Sequence, residues 1–143
     1  MDERASILIV DDDKITLDIC YEILSPCYEV IVARSGEEAF KRLEDIIPDL
    51  ILLDVVMPGI DGYEVTTRLK SDNRYKKIPV IFISGQTDEE SEILGFSVGA
   101  ADYVYKPVSA LPLLKRVETP IKMDRLQREA DALNARIAVL EGR

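Results

Sequence analysis

Short apolar runs rich in β-branched residues recur at 7–10, 30–32, 50–53, 80–83 and 103–105, and the segments between them repeat apolar residues every three to four positions. The first pattern predicts strands and the second helices. Five strands alternating with helices predict an α/β chain built on a parallel sheet. The runs are almost continuously apolar, so all five strands are expected in the interior and none at a solvated edge. Helices are expected near 14–25, 36–46, 62–71, 88–98 and 109–118. Ser35 with Glu38, and Thr87 with Glu90, have the spacing at which a hydroxyl and a carboxylate satisfy the orphan amides of a first turn. Asp12 or Asp13 is placed to cap the first helix and Asp61 the third, and Pro26 follows the end of the first.

The last segment differs in kind. Thr119-Pro120 reads as an N-cap followed by Pro at the first helical position, so a new or kinked helix is expected there, dividing residues 1–118 from a helical extension at 119–143. From Met123 the apolar residues keep a heptad, with Met123, Ala130 and Ile137 at one position and Leu126, Leu133 and Leu140 at the other. Glu129, Arg136 and Glu141 flank them. This predicts a short coiled coil and a homodimer through residues 120–141, although a strip packed back on the domain produces the same pattern.

Composition narrows the chemistry. The chain has 143 residues, room for one domain and an appendage, with 18 Lys plus Arg against 27 Asp plus Glu and a net charge of −9. Such a surplus repels nucleic acid and anionic lipid. There is no His, which excludes a Ser-His-Asp triad, an imidazole metal site and a histidine general base. No apolar run approaches the roughly 18 residues that span a bilayer, and the acidic start is unlike a secretory signal, so a cytoplasmic protein is expected. Cys20 and Cys27 match no metal spacing, and each is expected to be a small buried hydrophobe.

The chemistry is expected where the strands end, because ligands of open α/β sheets bind beyond the carboxyl ends of the strands. Those ends carry Asp11-Asp12-Asp13, Asp54, Ser84-Gly85 and Lys106-Pro107. With a strand order of 2-1-3-4-5, Asp11 and Asp12 would lie beside Asp54. Three clustered carboxylates repel one another unless a cation joins them, and hard oxygen ligands suit Mg²⁺. Taken singly, each acid is more often a helix cap or solvated turn residue than a ligand.

Val10-Asp11-Asp12, Asp54 with Met57-Pro58 and Asp61-Gly62, Ile83-Ser84-Gly85, Gly99-Ala100 with Asp102-Tyr103, and Lys106-Pro107 follow in an order that resembles the receiver domain of two-component response regulators. The resemblance covers residues 6–118. It implies a doubly wound five-stranded sheet whose phosphoacceptor is Asp54, not a turnover enzyme. Mg²⁺ would be held by Asp12 directly, by Asp11 through water, by Asp54 and by the backbone carbonyl of Val56. Lys106 would add a positive charge, a cis bond to Pro107 would fit the family, and Ser84 would donate its hydroxyl to the phosphoryl group. Tyr103 would turn inward as Ser84 is drawn over, changing the surface of the fourth helix, fifth strand and fifth helix. Val56 and Gln86 flank the route of the hydrolytic water; Val56 cannot orient it, so slow self-dephosphorylation is expected.

The chain cannot carry a phosphohistidine, so its donor would be a sensor histidine kinase, a histidine phosphotransfer protein or a small molecule. Three other readings compete. Asp11-x-Asp13 fits a phosphohydrolase formally but leaves Asp54 without a role. A flavodoxin-like carrier needs phosphate-binding donors where three acids stand. A degenerate dimerisation adaptor would not retain the acids and Lys106. Two readings of the output stand: a receiver working alone, or the front of a regulator with a cyclase, kinase or phosphodiesterase output.

Overall fold

The computed structural model describes residues 4–85 and 89–142. Five strands, β1 (Ser6–Val10), β2 (Glu29–Ala33), β3 (Leu50–Asp54), β4 (Val80–Ser84) and β5 (Asp102–Tyr105), form one parallel sheet in the order β2-β1-β3-β4-β5. Between and after them run α1 (Lys14–Leu24), α2 (Gly36–Asp45), α3 (Gly62–Lys70), α4 (Glu89–Ser97) and α5 (Ala110–Leu140). The predicted elements are all present, with boundaries moved by one or two residues except in α5.

Alternation along the strands sorts the core into two layers. Leu8, Val10, Ile51, Leu53, Val80 and Phe82 face α2 and α3, meeting Ala39, Leu43, Val65 and Leu69. Ile7, Ile9, Leu50, Leu52, Ile81 and Ile83 face α1 and α5, meeting Leu17, Cys20, Leu24, Leu113, Val117 and Ile121. Both sides of β3 and β4 are therefore buried, which explains their unbroken apolar runs. The expectation that no strand lies at an edge is corrected. An open sheet has two edges, and β2 and β5 occupy them with part of their surface exposed.

Asp13 caps α1, accepting from the Ile15 amide at 3.1 Å, and Asp61 caps α3, accepting from the Glu64 amide at 2.9 Å. At α2 the Ser35 hydroxyl accepts from the Glu38 amide as expected, but the Glu38 carboxylate reaches the amide of Arg34 instead of that of Ser35. Thr87 lies outside the described residues. Cys20 is buried, whereas Cys27 is exposed in the turn after α1, where its amide donates to the Leu24 carbonyl. The expectation of a buried Cys27 is thereby corrected.

The third correction concerns Pro120. No fresh helix starts there; α5 continues through it from Ala110 to Leu140. Proline inside a helix loses one backbone bond and costs about 3 kcal/mol, and burial of Val117 and Ile121 on either side offsets that loss. Farther along, Arg128 pairs with Asp49 at 3.7 Å, while the Asp49 carboxylate accepts from the Ser6 amide at 2.8 Å. The helix thus stays against the domain for two turns beyond the proline. Met123, Leu126, Leu133, Ile137 and Leu140 face away, with exposures from 42% to 84%. A strip packed back on the domain is not what forms.

Candidate functional site

The parallel sheet delivers Asp11, Asp54, Ser84 and Lys106 to one rim because each follows or ends a strand at its carboxyl end. Pairing of β1 with β3 brings Asp11 and Asp12 beside Asp54, as the expected strand order requires. Ligand oxygens of Asp11, Asp12 and Asp54 lie within 4.8 Å of one another. Asp11 is fully buried and Asp54 only 4% exposed. Lys106 Nζ reaches between them, 3.1 Å from Asp11 Oδ2 and 3.5 Å from Asp54 Oδ1. Its amide donates to the Ser84 carbonyl at 2.8 Å, which locks the residue to the end of β4, and its bond to Pro107 is cis.

The electrostatics are those of an overloaded acid cluster. Burial first, and then the charge of Asp11, push the Asp54 carboxyl up to about 7, with Lys106 pulling the other way. Burial alone would depress the Lys106 ammonium, but the Asp11 and Asp54 carboxylates outweigh it and hold it above its ordinary value. Asp11 Oδ2 accepts no well-aligned hydrogen bond among the described residues, despite the nearby ammonium. A fully buried carboxylate oxygen left in that state, within reach of two further acids, fits a hard divalent cation.

The local chain explains how Asp54 is presented. After β3 the Val55 carbonyl accepts from the Gly62 amide at 2.8 Å, folding the 55–61 loop back on the rim. A side chain at position 62 would collide with the Asp54 carbonyl, so only glycine lets α3 start there. Val56 stands on this loop with its side chain 62% exposed. Ser84 is buried at the end of β4. Gln86 lies outside the described residues. Asp13 does not join the cluster: the Thr16 hydroxyl and the Ile15 amide both donate to it and hold its carboxyl below the usual range.

Tyr103 is packed inward, 3% exposed, against Phe82 at 5.4 Å and Phe96 at 5.7 Å between ring centres. Its hydroxyl donates to the Ser91 carbonyl at 2.7 Å, tying β5 to α4. Gly95 makes this possible, since a Cβ there would strike the Tyr103 hydroxyl. Two residues of this region went unforeseen. Tyr63 places its hydroxyl 3.4 Å from the same Ser91 carbonyl and 3.5 Å from that of Tyr103. Arg34 donates from Nη2 to the Asp12 carbonyl at 3.1 Å. The signal for Arg34 was its place directly after a strand, on the same rim as the acids; Tyr63 carried no signal beyond being aromatic.

Comparison with known proteins agrees with this geometry. The family model of the response regulator receiver domain matches residues 7–118. A Vibrio cholerae protein named "Probable cyclic di-GMP phosphodiesterase" is 45% identical over 123 residues, covering 85% of this chain and 28% of the relative. Response regulator PleD of Caulobacter vibrioides is 34% identical over 143 residues, covering 96% and 31%. The chain therefore spans less than a third of either relative. Among solved structures, the chemotaxis protein CheY4 of Vibrio cholerae superposes with a TM-score of 0.78 at 30% identity, covering 82% of this chain and 98% of that one. The chain belongs to the response regulator receiver domain family.

Proposed function

We propose that this chain is the phosphoacceptor receiver of a cytoplasmic two-component pathway and that Asp54 is the residue phosphorylated. The observation that carries the reading is the convergence of Asp11, Asp12 and Asp54 within 4.8 Å with Lys106 bridging two of them. An Asp54 carboxylate oxygen attacks the phosphorus of a phosphohistidine on a sensor kinase or phosphotransfer protein. A P–O bond forms, the P–N bond breaks, and the imidazole leaves with a proton. Asp12, Asp54 and the Val56 carbonyl, with Asp11 acting through water, would hold Mg²⁺, which would supply positive charge where the acids and the incoming phosphoryl group otherwise repel. Lys106 adds a fixed ammonium beside the same oxygens, and Ser84 offers a hydroxyl from the end of β4. Engagement of Asp13 in the α1 cap argues against the phosphohydrolase reading, which needs it at the reacting centre.

Tyr103 and the aromatic layer under it carry the change outward. The Ser91 carbonyl that Tyr103 holds belongs to α4, so any movement of Tyr103 is felt on the α4 and β5 face. The 119–143 extension is the second output. Its apolar heptad positions are exposed and point away from the Arg128 side held by Asp49, which leaves the seam accessible to a second copy. Arg136 and Glu141 complement each other across a parallel pair. Because the relatives are much longer, this helix is also suited to lead into an output segment of a larger regulator.

The test is Mg²⁺-dependent labelling by a small phosphodonor such as phosphoramidate, read as a mass increase. Asp54→Asn is expected to abolish it. Stoichiometric labelling of that variant would remove Asp54 as the acceptor.

A further inference from the structure

We infer that Arg34 is a positioning residue for the acid cluster: its guanidinium holds the peptide between Asp12 and Asp13 so that Asp12 is presented to a divalent cation beside Asp11 and Asp54. The inference rests on reading the cluster as a Mg²⁺ site.

Arg34 follows directly after β2, whose last residue, Ala33, pairs with Val10 and accepts the Asp11 amide at 3.1 Å. The pairing of an edge strand with its neighbour therefore sets the base of the Arg34 side chain at the start of the acidic loop. That base is itself fixed, because the Arg34 amide donates to Glu38 Oε2 at 3.2 Å and Ser35 caps α2. From there Nη2 donates to the Asp12 carbonyl at 3.1 Å. The Asp12 carbonyl and the Asp13 amide belong to one peptide unit, and that amide donates to Asp11 Oδ1 at 2.9 Å. The unit is pinned at both ends, by a cluster acid on one side and by the guanidinium on the other.

Repulsion among three carboxylates favours swinging the least buried of them out toward solvent. Asp12 is the one free to do so, since Asp11 and Asp54 are enclosed. A peptide that cannot rotate leaves only the Asp12 side-chain torsions to be ordered when a cation binds, which lowers the entropy lost on binding. A lysine would supply the charge but not the rigid fork of donors.

Positioning and charge predict opposite signs. Arg34 carries a positive charge near the cation site, so through charge alone its removal would tighten Mg²⁺ binding. Through positioning, removal weakens it. Calorimetric titration of the full chain with MgCl₂ separates the two. Arg34→Ala is expected to raise the dissociation constant about threefold to tenfold, the range that one hydrogen bond commands. Arg34→Lys is expected to fall between that variant and wild type. Lys14→Gln removes a neighbouring exposed charge without touching the pinned peptide, and it should not weaken binding. In the metal-free protein, the Asp13 amide resonance is expected to shift in Arg34→Ala while the rest of the amide spectrum, read as a check on folding, stays in place.

Binding by Arg34→Ala that equals or exceeds wild type would overturn the role of Arg34 and leave the metal site standing. Equal weakening in Lys14→Gln would do the same. Absence of saturable Mg²⁺ binding in wild type would overturn the metal site and the inference together.

Discussion

The acidic rim and the far end of α5 break the same rule in opposite directions. At the rim, the charged groups of Asp11 and Asp54 are buried inside a sheet that is otherwise apolar. On α5, five large apolar side chains stand in solvent while the opposite side of the helix is fastened to the domain. Neither arrangement helps the isolated chain to fold: the first desolvates charge, and the second forgoes burial worth about 1.5–3 kcal/mol for each large side chain. The difference lies in what would relieve each. The rim gathers three carboxylates within 4.8 Å of one another, suited to a hard cation. The seam is long, regular and open, suited to another helix. Residues that oppose the stability of their own fold point to the partner for which they are kept.

The strongest test of this contrast is to remove the buried charge. The Asp54 carboxyl sits at about 7 in the fold against an ordinary value of 3.8. Between those pH values the folded state holds a proton that the unfolded chain has lost, so the stability of the metal-free protein falls as pH rises from about 4 to about 7. Above that range the full penalty of the ionised group remains. Asp54→Asn lacks it, and in chelator at pH 8 should be roughly 2–4 kcal/mol more stable than wild type, a gap that closes toward pH 4. Added Mg²⁺ should narrow the gap at pH 8 by stabilising wild type more than the variant, which lacks one of the carboxylates. Urea unfolding at the two pH values checks this, and a variant no more stable than wild type would show that Asp54 is not under strain.

Much of this contrast was legible in the sequence, and the remainder was not for identifiable reasons. The runs at 50–53 and 80–83 announce buried strands because both faces of β3 and β4 are covered. Asp13, Ser35 and Asp61 announce helix starts because capping is local. Edge status is not local: 30–32 reads like a central strand, and only the pairing order leaves β2 outermost. Pro120 misleads because its effect on a helix depends on what surrounds it, here Val117 and Ile121 packed on the sheet. Arg34 acts on the carbonyl of a residue 22 positions away, a contact that no local pattern encodes.

The seam offers the next largest effect. Leu133 is 56% exposed in the single chain, so Leu133→Lys should change the stability of a monomer by less than about 0.5 kcal/mol. If a second copy covers the seam, the same change places two ammonium groups in an apolar interface and should weaken self-association roughly 100-fold or more. Light scattering across a concentration series, with and without a beryllofluoride phosphoryl mimic, reads the mass directly. Identical masses for the variant and wild type in all four conditions would mean that the seam does not hold a second copy.

Val56 blurs the contrast, because it brings the seam's kind of exposure to the acidic rim: an apolar residue 62% exposed two positions after Asp54, the proposed acceptor. A branched hydrocarbon there cannot orient the water that attacks an aspartyl phosphate. Val56→Asn introduces an amide that can, while leaving the backbone carbonyl assigned to the metal unchanged. The phosphoryl half-life should shorten by the order of tenfold, the effect of one oriented hydrogen bond worth about 1.4 kcal/mol. Val56→Ala, which opens the same space without a donor, separates orientation from access and should leave the half-life within about twofold of wild type if orientation is what matters. Mg²⁺ affinity and the final extent of labelling should be the same in all three proteins. A half-life indifferent to the asparagine would show that the side chain at position 56 does not set the lifetime of the phosphoryl group.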